Sequence, residues 1–229
     1  MVKDRLLVIE PHSDDSAIGA GAYLEHQSSI YDLYFLLVSA SSLELKHKYV
    51  SRETRLDEYQ KYVNSLGGQY LKANSRNPNI NLPIDKETYL DTVPMGDLVS
   101  AIENTINKIK PSELLIMGPS FYKDHTIVYE AVEASTRPTF EFTVNKVLLM
   151  ENPTYVHSWE KNLKPNYYFC INEDQLKRKL DRFEKYFPSQ IRGGSNYLSR
   201  EIIKQWSRYR GLEARSNYAE AFTLLFQKI

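Results

Sequence analysis

The sequence predicts an α/β protein: a Rossmann-like, doubly wound, mostly parallel sheet, folded as a single domain over residues 1–229. Three observations predict it. Short, wholly apolar runs recur between residues 5 and 150, as expected for parallel strands covered on both faces. Helical segments, amphipathic or rich in small residues, separate those runs. The chain has 229 residues, enough for one sizeable core and short for two full domains.

Each element follows in order. Arg5-Leu6-Leu7-Val8-Ile9 reads as a buried strand. A polar loop from Glu10 to Ser16 contains Pro11. Residues 17–26 read as a helix whose Gly19, Ala20, Gly21 and Ala22 allow close packing on a sheet. Residues 31–38 form a second apolar strand. Residues 43–66 read as one charged helix stopped by Gly67-Gly68. Residues 71–94, rich in Asn and Pro, read as an irregular surface excursion. Residues 95–109 form an amphipathic helix with Leu98, Ile102, Ile106 and Ile109 on one face. Strand 113–117, helix 125–135 and strand 144–150 follow. Helices at 172–186 and 198–209 and a closing strand at 221–226 make up a less regular C-terminal third, expected to wrap the main sheet.

Composition excludes several classes. Lys plus Arg equals Asp plus Glu, 29 each, so no global basic field points to nucleic acid. The single cysteine, Cys170, excludes an intrachain disulfide and a thiolate metal cluster. It lies in the apolar stretch Tyr167-Tyr168-Phe169-Cys170-Ile171 and is expected to be a buried small hydrophobe. No apolar run approaches the ~20 residues of a membrane span. Met1-Val2-Lys3-Asp4-Arg5 leads straight into a strand without a charged-then-apolar leader, which reads as cytoplasmic. The 17 tyrosines suit core edges and interfaces, and leave room for a homo-oligomer.

Two polar segments fall at carboxyl ends of predicted strands, where open α/β sheets bind ligands. One is Pro11-His12-Ser13-Asp14-Asp15. The other is Phe121-Tyr122-Lys123-Asp124-His125. Neighbouring strand ends would bring them together. His12 and His125 then offer imidazole nitrogens and Asp15 a carboxylate oxygen, a common catalytic zinc set that leaves one position open. Asp14 adds a carboxylate free to act as a base. The competing local reading is a turn, with Asp14, Asp15 or Ser16 as the N-cap of the next helix. His26, near a helix end, and Lys46-His47-Lys48 read as solvated.

The order strand, Pro-His-x-Asp-Asp, small-residue helix and distant Asp-His resembles the PIG-L/LmbE-like deacetylases. Further segments carry the resemblance along the chain: Arg55-Leu56-Asp57-Glu58 ahead of Leu66-Gly67, Tyr186-Phe187-Pro188-Ser189-Gln190, and Tyr218-Ala219-Glu220-Ala221-Phe222. The resemblance implies one Zn2+ per chain, bound by His12, Asp15 and His125, with Asp14 as general base. It implies a substrate-contacting role for Arg55, and structural roles for Glu58, Gln190 and Glu220. Tyr122 and Asp124 are the other catalytic candidates. The implied activity is removal of an acetyl group from an N-acetylated amino sugar or glycoconjugate.

Two departures from the family pattern matter. Ser16 stands where the family often has Glu. Tyr122 stands where it commonly has a His that helps protonate or stabilise the tetrahedral intermediate. A tyrosine can donate a hydrogen bond to an oxyanion. With an ordinary pKa of ~10 it is a weaker acid for the leaving amine than imidazole. His157, after Pro153-Thr154-Tyr155, is a further candidate to meet the substrate. Residues 71–94 and 152–166 are the loops expected to set specificity. The Tyr122 departure also supports a rival expectation: a sugar-binding or assembly protein on a degenerate deacetylase scaffold.

Overall fold

The computed structural model describes residues 3–45, 48–85, 90–137, 144–151, 153, 164–192 and 198–228. In chain order the elements are β1 (Asp4–Glu10), α1 (Asp15–Gln27), β2 (Tyr31–Leu37), β3 (Leu43–Leu45), β4 (Lys48–Val50), α2 (Arg52–Ser65), β5 (Gln69–Leu71), β6 (Ala73–Asn74) and β7 (Asn81–Leu82). A 3-10 turn (Leu90–Thr92) leads to α3 (Met95–Ile109), β8 (Glu113–Met117), α4 (Lys123–Ser135) and β9 (Lys146–Met150). Then come β10 (Tyr167–Ile171), α5 (Glu173–Tyr186), α6 (Arg200–Glu213) and β11 (Tyr218–Gln227).

One seven-stranded sheet runs β10-β11-β9-β8-β1-β2-β5. β5, β2, β1, β8 and β9 pair in parallel. β11 is antiparallel to both β9 and β10. The chain winds outward from β1 through β2 to β5, then crosses to β8 and β9 on the other side. The strand order therefore reverses between β1 and β8, and the crevice outside their carboxyl ends is the expected place for a ligand.

The pleat of β1 shows why its run is continuously apolar. Leu6 and Val8 join a core formed with α1, α2 and α5. Leu7 and Ile9 join another formed with α3 and α4. Successive side chains point to opposite faces, and helices cover both, so each position is buried.

Helix α1 is not regular. Its backbone breaks at Ala20 (φ −142°, ψ 20°). The N–H groups beyond a break lose their helical acceptors. The Glu220 carboxylate replaces them, accepting from Ala22 N at 2.9 Å and Tyr23 N at 2.7 Å. Lys179 Nζ lies 2.7 Å from the same carboxylate, and the whole group is buried. One residue before the break, Gly19 lies against the carbonyl of Glu151, where a Cβ would collide. These contacts explain both the small-residue run and the Tyr218-Ala219-Glu220-Ala221-Phe222 segment.

Three expectations change. Leu43–Leu45 and Lys48–Val50 form the antiparallel pair β3–β4, not the start of a helix. They lack an apolar stripe of helical period, and the helix begins at Arg52, where Ser51 Oγ accepts from Thr54 N at 3.2 Å. The C-terminal third extends the sheet through β10 and β11 as well as covering it. Cys170 is exposed, because strand alternation turns its neighbour Ile171 inward instead. His26 is exposed as expected. His47 lies outside the described residues.

Candidate metal centre and active site

The two polar segments meet at the reversal of strand order. The 11–14 loop leaves β1, and His12 and Asp15 turn toward β8. The second segment leaves β8 and opens α4, with Tyr122 at the N-cap, so Asp124 and His125 sit in the helix's first turn. His12, Asp15 and His125 each offer one ligand atom, and these atoms lie within 4.8 Å of one another.

The spacings test whether a metal fits. His12 Nδ1 is 3.2 Å from His125 Nε2. His125 Nε2 is 3.4 Å from Asp15 Oδ1, and His12 Nδ1 is 3.6 Å from Asp15 Oδ2. A tetrahedron with zinc-ligand bonds of ~2.0–2.1 Å has edges of ~3.3 Å. The donor set therefore has the spacing of a site for a divalent metal ion.

Hydrogen bonding explains why these atoms face one point. Asp124 Oδ2 lies 3.1 Å from His12 Nε2. A carboxylate only accepts, so Nε2 carries the ring proton and Nδ1 presents a lone pair. Asp15 also only accepts, and its Oδ2 takes the His12 backbone N–H at 2.9 Å. The His12 lone pair and the Asp15 carboxylate thus converge on one place, where a cation would be held by both. The third corner, His125, is 1% exposed, and its Nδ1 meets Ser120 Oγ at 2.8 Å. That contact leaves Nε2 for the cluster. A metal-bound histidine is commonly held in this way through its other nitrogen.

The site's electrostatics follow from burial. Burial pushes the Asp15 carboxyl up, but the charge and hydrogen bond of His125, then His12, hold it below the ordinary carboxylate range. Burial also pushes Asp124 up, and the His12 hydrogen bond and charge and the Leu90 N–H at 2.8 Å outweigh it. Asp14 behaves in the opposite sense. Burial and the adjacent Asp15 charge raise its carboxyl above the ordinary range, against Arg55 and His12. Its side chain makes no capping bond to α1, although it occupies the N-cap position. Asp14 is therefore a carboxylate of increased proton affinity beside the donor cluster.

Arg55, on α2, faces the same region. Its Nη1 donates to Ser41 O at 2.8 Å, and its buried Nε has no hydrogen-bond partner among the described residues. Tyr122 closes another side, with its ring centroid 6.1 Å from that of His12 and 5.3 Å from that of His125. Phe121, half-exposed, packs against Tyr122 with ring centroids 4.3 Å apart and planes tilted by 31°. His157 lies outside the described residues. Glu58 and Gln190 are joined at a distance from the donors: Glu58 accepts from Ser189 N at 2.8 Å and from Ser189 Oγ at 2.5 Å, and Gln190 Nε2 donates to that hydroxyl.

Two supporting residues were not anticipated from the sequence. Ser120 holds His125 and also accepts from Tyr122 N at 3.2 Å. Glu10, fully buried at the end of β1, accepts from Ser16 N at 2.8 Å and Tyr59 Oη at 2.6 Å. Its signal was present: a lone charge closing an otherwise apolar strand.

Comparison with known proteins bears on the family and the fold. The model of the PIG-L family, described as GlcNAc-PI de-N-acetylase, matches residues 7–136. No curated protein matches the chain in sequence. N,N'-diacetylchitobiose deacetylase from Pyrococcus horikoshii superposes with a TM-score of 0.68 at 17% identity, over 97% of this chain and 84% of that one. The teicoplanin deacetylase Orf2, in a zinc-inhibited form, gives 0.68 at 16% identity, over 96% and 97%. GalB, the 4-carboxy-2-hydroxymuconate hydratase from Pseudomonas putida KT2440, gives 0.67 at 15% identity, over 99% and 98%. At these identities the superpositions establish the fold. The family match spans more than half of the chain and includes both polar segments, and the chain belongs to the PIG-L family of hydrolytic de-N-acetylases.

Proposed function

We propose that this protein is a zinc-dependent hydrolase that removes the N-acetyl group from an N-acetylated amino sugar, free or within a glycoconjugate. The observation that carries the reading is the convergence of His12 Nδ1, His125 Nε2 and an Asp15 oxygen on one point, with the other nitrogen of each imidazole already engaged. These three residues would hold one Zn2+. When bound, the ion supplies Lewis acidity toward the acetyl carbonyl and a nucleophilic water.

The chain's own groups supply the remaining steps. Asp14 takes the proton from the attacking water, and its raised proton affinity suits it to this. The protonated Asp14 can then return that proton to the leaving nitrogen. The amide C–N bond breaks, and acetate and the free amine form. Tyr122 Oη donates a hydrogen bond to the oxygen that gains charge in the tetrahedral intermediate. Asp124 acts as a positioning residue through His12. The Arg55 guanidinium, whose Nε has no partner among the described residues, holds a polar substituent of the substrate. Segments 71–94 and 152–166 select among sugars. No described helix is long and apolar enough to cross a membrane.

Acetate release from a panel of N-acetylated sugars, free, nucleotide-linked and lipid-linked, tests the reading. Zinc-loaded protein should release acetate from at least one of them, and chelation should abolish it. Asp14→Ala should lower kcat by about 10²–10⁴-fold with zinc still bound. Undiminished release by metal-free protein would sink the mechanism. Tyr122 motivates a second reading, a zinc-binding but catalytically silent sugar-binding or assembly protein. Zinc binding without turnover on any sugar would favour it. The hydratase on the same fold means that the reaction, not the architecture, has to decide.

A further inference from the structure

The loop that carries His12, Asp14 and Asp15 has one residue before it, Glu10, and one after it, Ser16. The Glu10 side chain bridges the two ends. Its Oε2 accepts from Ser16 N at 2.8 Å, six residues away, in the first turn of α1. Its Oε1 accepts from Tyr59 Oη at 2.6 Å, on α2. Tyr59 lies one turn along the same helix from Arg55. Glu10 and Ser16 are both 0% exposed, so these bonds have no competition from solvent.

We infer that Glu10 is the positioning residue of the metal loop: its carboxylate closes the loop on itself and fixes it against the helix that carries Arg55. The placement also accounts for a departure from the family pattern. Where the family often has Glu after the Asp-Asp pair, this chain has Ser16, whose buried Oγ has no hydrogen-bond partner among the described residues. The carboxylate is supplied from the opposite end of the same loop. Glu10 Oε2 meets Ser16 at its backbone N–H, so a carboxyl group carried by either residue lies at the same end of the loop.

This inference rests on the loop being a zinc site, and its test separates the two ideas. Zinc affinity of the full-length protein is measured by competition with a chromophoric chelator, independently of turnover. Glu10→Ala should weaken zinc binding by about 10–100-fold, the cost typical of losing support behind a metal ligand. The double variant Glu10→Ala/Ser16→Glu should regain most of that loss, which filling of a cavity alone would not achieve. Ser16→Ala alone should leave affinity within about threefold, because it keeps the backbone N–H that Glu10 holds. Glu10→Leu covers the case in which the alanine variant does not fold. It fills the space without offering an acceptor to Ser16 N or Tyr59 Oη, so it should bind zinc more weakly than wild type, by several-fold. Wild-type affinity in Glu10→Ala or Glu10→Leu would overturn the inference while leaving the zinc site intact. A double variant no better than Glu10→Ala would overturn it too. Failure of the wild-type protein to bind zinc would overturn the underlying reading instead.

Discussion

His12 Nε2 lies 3.1 Å from Asp124 Oδ2, and this contact decides which imidazole nitrogen faces the cluster. Asp124 is itself fixed by the Leu90 N–H, so the ring of His12 is oriented from the backbone of a separate segment. Asp124→Asn should let an amide N–H face His12 and favour the wrong tautomer. Zinc affinity should fall by about 10–100-fold, and acetate release should recover in part at saturating zinc. Titration with a competing chelator reads the first effect. Unchanged affinity would leave Asp124 without the orienting role.

In the proposed mechanism Tyr122 stabilises charge. Its ring packs against both histidine rings of the donor cluster. Tyr122→Phe should keep zinc affinity and lower kcat by about 10²-fold, as expected for loss of one oxyanion donor. Tyr122→His should restore or raise kcat, because imidazole is the better acid near neutral pH. Equal kcat in the wild-type protein and Tyr122→Phe would remove Tyr122 from the chemistry.

Glu220 has three partners in the core: two N–H groups freed by the break at Ala20, and Lys179. Glu220→Ala would leave a buried cation and two donors unpaired. The expected loss of stability is about 3–5 kcal/mol, the usual cost of removing one partner of a buried pair. Urea denaturation measures it. A loss below about 1 kcal/mol would contradict the capping role.

The contact between α1 and α5 predicts an acid dependence. Burial pushes the Glu25 carboxyl up, but hydrogen bonds from Arg182 at 3.1 Å and Arg178 at 2.7 Å hold it below the ordinary carboxylate range. A depressed folded-state pKa adds stability that is fully present above the unfolded value and is lost as pH falls through the folded one. Wild type should therefore lose its stability advantage over Glu25→Gln as pH drops below about 4.5, the ordinary value. The site is partly exposed, so the difference should be about 0.5–1 kcal/mol. Thermal unfolding of both proteins across pH 3–7 checks this; a constant difference would contradict it.

Much of the site was legible because its residues are close in sequence to strand ends. Leu6 to Ile9 announce β1, so His12 and Asp15 had to lie at its carboxyl end, and Glu113 to Met117 did the same for His125. Residues 43–50 misled because charged residues beside isolated leucines fit a helix surface or a hairpin equally well, and only Ser51 marks the true helix start. Glu10 and Ser120 were missed because their importance depends on partners remote from any motif, such as the Tyr59 hydroxyl and the His125 ring. Cys170 shows the limit of an apolar run at a sheet edge. Such a run predicts a strand, but not which of its alternating side chains turns outward.

The most direct test of the central claim is acetate release measured against zinc content. Metal-free protein is titrated with zinc in the presence of a turned-over N-acetylated sugar. Release should rise in proportion to bound zinc and level off at one equivalent per chain, and Asp15→Ala and His125→Ala should bind no stoichiometric zinc. Full release before any metal is added, or stoichiometric zinc binding in both variants, would contradict a catalytic metal held by His12, Asp15 and His125.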